Sequence, residues 1–296
     1  MIYEIYHETK FDYAALVTFS HNIARLKPKN CYTQKLLEYS LNIDPKPYET
    51  NEFIDYFENT NNFMLIREEH TTLKVVAKSK VERIEENINE ELEKLKNVSI
   101  TFGEAKERLN KYYKDDVLAK YFLFETESIP MPSDQIKEYV LKSFNEDKNI
   151  IEATNEFMQR IFNDFKFVSG FSDITTPIET IFKEKKGVCQ DFAQFAISAL
   201  RSIGIPARYV SGYIQTIPPL GKEKLFGADA SHAWFSIYIP DFGWADFDPT
   251  NNKIPNEEYI VLGYGRDYLD ISPLKGVVQS SGNSLLSVKV DVRELL

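Results

Sequence analysis

The N-terminal part of the chain alternates apolar and polar positions with a period of two residues. Such alternation places one face of a β-strand on a core and the other face in water. We therefore predict that residues 1–84 form a mainly antiparallel β domain. The clearest alternating runs are Leu37, Tyr39, Leu41 and Ile43, and Leu73, Val75 and Ala77.

The apolar spacing changes from two residues to three and four in the middle of the chain. Residues 85–150 begin with an acidic stretch, and we interpret them as a helical connecting region with a helix start at Ser133-Asp134. The run from Ile151 to Phe165 has one apolar helical face. Strand patterns return after residue 206. We assign residues 151–296 to a further domain of mixed helix and sheet.

A cysteine opens the most apolar of the predicted helices. Cys189 begins an amphipathic segment that Gly204 ends, with Pro206 just beyond. Free N–H groups and partial positive charge at a helix start favour a thiolate and can hold an oxyanion. Gly187 would let a substrate approach the backbone closely. Taken alone, the segment favours an inert buried thiol, because free cysteine is among the most buried residue types.

A predicted β-hairpin carries a histidine and two aspartates. His232 and Trp234 share one face of the first strand, and Trp244 begins the second strand. Asp246 and Asp248 have the same parity, so spacing does not choose between them. Either carboxylate shares the face of His232 only if the hairpin loop has an odd number of residues or a bulge. Together with Cys189, the histidine and one aspartate would then form a complete set of nucleophile, base and base-orienting group.

Charge and cysteine content exclude several classes of protein. The 296 residues carry 45 acidic and 35 basic side chains, a net charge of −10, which disfavours a nucleic-acid partner. Two cysteines do not form a disulfide framework, and we see neither a signal peptide nor an apolar stretch long enough to span a bilayer. We therefore expect a cytoplasmic protein with no membrane partner.

Several motifs together resemble the bacterial transglutaminase-like proteins, including their N-terminal β domain. The motifs are GVCQDFA at 187–193, LRSIGIPARYVSGY at 200–213, SHAW at 231–234, GWADFDPTN at 243–251, GRDYLDISP at 265–273 and HETKFDY at 7–13. The resemblance implies an α+β fold with a papain-like core, in which the cysteine helix packs on an antiparallel sheet. It also implies that residues 151–296 are the catalytic domain.

By the same resemblance, the nucleophile is Cys189, the base is His232 and the orienting carboxylate is Asp248, the aspartate that precedes Pro249. Further residues are predicted to line or support the substrate pocket: Gly187, Gln190, Trp234 and Trp244.

The predicted reaction is acyl transfer from a protein or peptide amide through a thioester on Cys189. We favour hydrolysis over crosslinking. The alternative is a non-catalytic interaction module that keeps the fold; an ordinary papain-type protease is disfavoured because its cysteine and histidine lie much farther apart in sequence. The histidines show no metal-ligand spacing, so we predict neither a metal nor a cofactor. We further expect Arg266 and Asp267 to form a structural ion pair.

Overall fold

The computed structural model describes residues 1–111, 116–216, 226–227 and 229–295. The first part of the chain is all strand, the middle is helical, and the last part mixes both. The strands are β1 (Ile2–Val17), β2 (Phe19–Ala24), β3 (Gln34–Asp44), β4 (Glu49–Ile54), β5 (Thr60–Ile66), β6 (His70–Arg83), β7 (Lys166–Phe167), β8 (Lys186–Gly187), β9 (Ala207–Ile214), β10 (Ser231–Ile239), β11 (Gly243–Phe247), β12 (Tyr259–Gly265), β13 (Leu274–Gln279) and β14 (Ser284–Leu295). The α-helices are α1 (Glu85–Lys96), α2 (Phe102–Asn110), α3 (Asp134–Leu141), α4 (Ile150–Asp164), α5 (Ile178–Glu184), α6 (Cys189–Ser202) and α7 (Tyr268–Ile271).

Two four-stranded antiparallel sheets form the N-terminal part, as the alternating pattern predicts. Their strand orders are β14-β1-β6-β3 and β13-β2-β5-β4. Each sheet therefore takes an outer strand from the C-terminal end of the chain, so β13 and β14 complete sheets that begin near residue 1. The domain boundaries at residues 84 and 150 stay a prediction. Strands β13 and β14 nevertheless belong to the N-terminal sheets, although they lie beyond residue 150.

The alternating positions of the N-terminal strands face a common core, with one local exception. Leu73, Val75 and Ala77 of β6 are buried, and Tyr39 and Leu41 of β3 pack against them. Leu37, which the same pattern predicts to be on the core side, is 38% exposed. The cause is a shift of register between Leu36 and Glu38, where β3 has a bulge. An extra residue in a strand reverses the facing of the side chains before it.

The sheet of the C-terminal part has the strand order β11-β10-β9-β12 and is antiparallel throughout. Helix α6 packs on one face of it, where Phe235 and Ile237 of β10 join a large apolar core. The middle helices contribute to the same core through Ile136 and Val140 of α3. The predicted α+β architecture, with a cysteine helix on an antiparallel sheet, is therefore confirmed.

Two local expectations change in the structure. Ser133 does precede α3, but its side chain makes no cap; the backbone N–H and the hydroxyl of Ser133 instead donate to the Glu179 carboxylate. Arg266 does not pair with Asp267. It pairs with Asp270 at 2.8 Å, one helical turn away, because Asp267 accepts the free N–H groups at the start of α7.

Within the described ranges, no helix combines the length and the apolarity that are needed to cross a membrane.

Candidate active site

Helix α6 begins at Cys189, and a buried aspartate fixes the turn in front of it. The Val188 backbone N–H donates to Asp191 Oδ2 at 2.7 Å, and the Ser172 hydroxyl donates to the same oxygen. A Cβ on Gly187 would lie 2.8 Å from Asp191 Cβ, so only glycine leaves room for this carboxylate. Glycine is therefore required at position 187 because it leaves room for the Asp191 side chain in the turn before α6, and not for its flexibility. Cys189 itself is partly exposed.

The hairpin that carries the histidine has the odd loop that the parity argument requires. Ile239 pairs with Gly243, which leaves Pro240, Asp241 and Phe242 as the loop. Asp241 has φ 66° and Gly243 has φ 102°, so two left-handed residues make the reversal. The carboxylates of the second strand therefore fall on the same sheet face as the histidine.

His232 meets both of its predicted partners near the open end of this sheet. Pairing between β10 and β11 stops at Phe235 and Phe247, so the residues that follow β11 can turn beside the imidazole. His232 Nε2 lies 2.7 Å from Asp248 Oδ2. The Cys189 side chain lies close enough to the ring to raise the pKa of the imidazole.

Asp248 is fully buried and accepts several hydrogen bonds. Its Oδ2 accepts from His232, from Asn251 Nδ2 at 2.7 Å and from the Tyr259 hydroxyl at 2.7 Å. Its Oδ1 accepts the backbone N–H groups of Thr250 at 2.9 Å and Asn251 at 3.3 Å. A buried carboxylate with this many donors is held in its charged form. The turn and β12 therefore keep a negative charge beside the imidazole.

The charges of the three groups are coupled. Burial lowers the pKa of His232, but the hydrogen bond and negative charge of Asp248, with the nearby Cys189 side chain, outweigh burial and raise the pKa to about 10. Burial raises the pKa of Asp248, yet the hydrogen bonds and charge of His232, with those of Asn251 and Tyr259, bring it below its ordinary value. The arrangement thus favours a protonated imidazole beside the charged Asp248 carboxylate.

The two tryptophans have different surroundings. Trp234 is fully buried, with its ring 6.0 Å from that of His232 and its Nε1–H donating to Asp246 Oδ2 at 2.9 Å. Gly212 is needed opposite it, because a Cβ there would lie 2.5 Å from the indole. Trp244 packs against other aromatic rings, at 4.9 Å from Phe122. Of the two tryptophans, only Trp234 therefore shields the imidazole. Asp246, which accepts the Trp234 N–H, is the aspartate that spacing alone could not distinguish from Asp248.

Gln190 is partly buried in the first turn of α6, next to the cysteine. Its predicted role in the substrate pocket, like those of Gly187, Trp234 and Trp244, stays a prediction. Among the described residues, no three His, Cys, Asp or Glu side chains are grouped so that they could hold a metal ion.

Sequence reasoning did not identify the residues that hold Asp248 and the cysteine turn. Asn251 lies in the same turn motif, and its spacing from Asp248 is typical of Asx-turn chemistry. The sequence alone could therefore have indicated that Asn251 bonds to Asp248. Tyr259 comes from β12, a separate strand, and no local pattern marks it. Ser172 lies in a loop before α5 and reaches Asp191 only through the tertiary fold.

The fold and the site define a mixed α+β protein with a cysteine helix, a strand histidine and a buried aspartate. Two family models match the chain: the bacterial transglutaminase-like N-terminal region over residues 3–82 and the transglutaminase-like superfamily over residues 137–249. The chain belongs to the transglutaminase-like superfamily and carries the N-terminal region of its bacterial members.

Relatives at the level of sequence and structure agree with this assignment. An uncharacterized protein of Mycobacterium tuberculosis is 35% identical over 98% of this chain and 92% of its own length. A protein-glutamine gamma-glutamyltransferase of Pseudomonas aeruginosa is 36% identical over 25% of this chain and 11% of its own. A crystal structure from Cytophaga hutchinsonii, described as a candidate cysteine protease, has a TM-score of 0.74 at 21% identity and covers 100% of this chain and 91% of its own.

Proposed function

We propose that the protein is a cysteine-dependent amide hydrolase in which Cys189 is the nucleophile, His232 the general acid and base, and Asp248 the group that orients the histidine. One observation carries the proposal: the three side chains lie in series, with His232 Nε2 2.7 Å from Asp248 Oδ2 and the Cys189 side chain close enough to the ring to raise its pKa. The series is buried at its histidine and aspartate, which are 8% and 0% exposed. Its partly exposed end is the sulfur, the atom that has to reach a substrate.

The first half of the reaction forms a thioester. The Cys189 sulfur attacks the carbonyl carbon of an amide and forms a C–S bond, and the carbonyl oxygen takes the negative charge. When the C–N bond breaks, the imidazolium of His232 gives its proton to the leaving amine. The raised pKa of His232 makes the protonated ring available at neutral pH.

The helix start supports the charge that develops on the oxygen. The first backbone N–H groups of α6 have no acceptor inside the helix, as at any helix N-terminus. They lie next to the sulfur, so an oxyanion formed there meets donors and a favourable dipole. The Cys189 N–H is the donor that we assign to this role.

Water completes the cycle. Neutral His232 takes a proton from a water molecule, the hydroxyl oxygen attacks the thioester carbon, and the C–S bond breaks to release a carboxylic acid. Transfer to an amine would instead require that water be kept away from the thioester. Cys189 is partly exposed, so water has access to it. This favours hydrolysis of a protein or peptide amide over crosslinking.

The test compares two cysteine variants against a panel of peptide amides. Cys189→Ser should abolish turnover, whereas Cys31→Ser, the matched control at the other free cysteine, should leave it unchanged. Peptides are incubated with and without a primary amine, and the products are identified by mass spectrometry. Gain of water indicates hydrolysis; replacement of ammonia by the added amine indicates transfer. Turnover that persists in Cys189→Ser would refute the role of the thiol and favour a binding module.

A further inference from the structure

A cavity lies behind the proposed active site, on the face of the β11-β10-β9-β12 sheet that turns away from α6. Its volume is about 310 Å³. The floor is formed by strands β9 to β12, and the walls by helix α1 and by residues 31–33 of the N-terminal part. Both tryptophans of the chain, Trp234 and Trp244, line it. A space of this size is sufficient for a small organic ligand.

The guanidinium of Arg208 lines this cavity, and its N–H donors are not used in hydrogen bonds with the described residues. The group lies between two aromatic rings, 4.3 Å from the centroid of Trp244 and 3.6 Å from that of Tyr264. It makes no hydrogen bond or ion pair with any residue that the structure describes, and its Nε is buried without a partner. Stacking fixes the plane of a guanidinium and leaves its N–H edge free for a planar anion.

Arg83 adds a second cation that has no acid partner. The residue is 5% exposed, and its Nη atoms donate to neutral oxygens of Thr33, at 3.1 Å, and Asn256, at 3.1 Å. Its buried Nε has no acceptor among the described residues. A buried arginine bonded only to neutral groups retains an unbalanced charge, which is costly to bury.

Two carboxylates line the same cavity but do not pair with these arginines. Glu91 is partly buried and makes no hydrogen bond or ion pair with the residues in the described ranges; burial and the charge of Asp246 raise its pKa. Asp246 accepts one hydrogen bond, from Trp234. The charges of both arginines act on Glu91. Two positive and two negative groups thus face one space without direct contact.

We propose that this cavity binds a small zwitterion, a free α-amino acid with an aliphatic side chain. The carboxylate of the ligand would bond to Arg208, and its ammonium group to Glu91 and Asp246. A purely anionic or cationic ligand would satisfy one pair of charges and leave the other unbalanced. The aliphatic side chain would lie against the aliphatic part of the wall, which includes Ile88, Leu92, Leu95 and Ile254.

The proposal does not depend on the chemistry of Cys189. The cavity and the catalytic residues share only a wall, which contains Trp234 and Tyr259. Binding can therefore be measured in Cys189→Ser, where no probe is consumed by turnover. Failure of the proposed hydrolysis would leave the cavity unchanged, and an unoccupied cavity would leave the proposed hydrolysis unchanged.

Tryptophan fluorescence is a direct readout, because the only two tryptophans of the sequence are in the wall. The Cys189→Ser protein is titrated with L-leucine, with N-acetylleucine, which lacks the ammonium group, and with leucinamide, which lacks the carboxylate. L-leucine should bind at least about tenfold more tightly than either analogue, since each loses a charge-assisted hydrogen bond. Equal binding of all three, or of none, would overturn the zwitterion assignment.

Two variants connect the binding to named residues. Glu91→Gln and Arg208→Gln should each weaken L-leucine binding about tenfold or more, while Glu86→Gln, at an exposed position of the same helix, should not change it. Glu91 has no partner to lose, so Glu91→Gln should fold normally even if Arg208→Gln does not. L-leucine should also slow the alkylation of Cys31, which lines the cavity. Unaltered affinity in Glu91→Gln, or unaltered alkylation, would contradict the proposal.

Discussion

Asp248→Asn tests whether the buried carboxylate controls the charge of His232. The substitution keeps the size of the side chain and can still accept a hydrogen bond, but it removes the negative charge that lies 2.7 Å from the imidazole nitrogen. Burial alone lowers the pKa of His232. We therefore expect the pKa of His232 to fall from about 10 toward or below its ordinary value of 6.5 in the variant.

The size of the effect follows from linkage between protonation and folding. A histidine pKa that rises from 6.5 in the unfolded chain to about 10 in the folded chain stabilises the fold at low pH. That stability is fully present below pH 6.5 and is lost as the pH rises through about 10. At about 1.4 kcal/mol per unit, it amounts to at most about 5 kcal/mol. Removing one partner of a buried pair costs about 3–5 kcal/mol, a similar value.

Two measurements check this expectation. NMR titration of the histidine ring protons gives the pKa of His232, with its resonance assigned by loss in His232→Gln. Chemical denaturation across the same pH range gives the free energy of unfolding. Asp246→Asn is the matched control, because Asp246 lies two residues before Asp248 in the sequence and accepts only the Trp234 N–H among the described residues. It should leave the pKa of His232 unchanged and the free energy of unfolding within about 1 kcal/mol.

The reasoning would be refuted by either of two results. One is a wild-type His232 that titrates near 6.5, which would mean that burial outweighs the carboxylate. The other is an unchanged pKa in Asp248→Asn, which would assign the raised value to Cys189 alone.

Two further substitutions probe the packing and the hydrogen bonds behind the site. Gly212→Ala would place a Cβ 2.2 Å from the Ile260 carbonyl oxygen and 2.5 Å from the Trp234 ring, so we expect a loss of about 3 kcal/mol or more in the free energy of unfolding, measured with denaturant. Tyr259→Phe removes the 2.7 Å hydrogen bond to Asp248; we expect a loss of about 1.5–3 kcal/mol in the same assay and a lower kcat on amide substrates.

Each of these substitutions has a control of the same type. Gly170→Ala meets no atom within 4 Å, and only its left-handed φ of 74° opposes it, so it should cost no more than about 1–2 kcal/mol. Tyr268→Phe should change the free energy of unfolding little, because its hydroxyl makes no hydrogen bond with the described part of the chain. If a test variant and its control lost the same free energy of unfolding, the loss would reflect a general sensitivity to glycine or tyrosine substitution and not the named contact.

Much of the site could be read from local patterns because the chemistry of each segment is local. A helix that starts at Cys189, with Gly204 beyond its end, needs only apolar spacing and a stop signal. The face shared by His232 and the aspartates follows from the period of two in a strand and the odd loop between the strands. The choice of Asp248 over Asp246 was different, because it came from the family resemblance; in the structure, Asp248 is the aspartate that lies against the imidazole.

The chain by itself therefore determined the order of strand-rich and helical regions and indicated Cys189 and His232 as candidate reactive residues, because periodicity and turn chemistry act over a few residues. Tertiary structure alone decided three things. It brought Tyr259 from β12 to the buried carboxylate, it joined β13 and β14 to the N-terminal sheets, and it enclosed Arg208 with Glu91 in one cavity. These contacts join residues far apart in sequence, and no local period encodes a partner that arrives from another element.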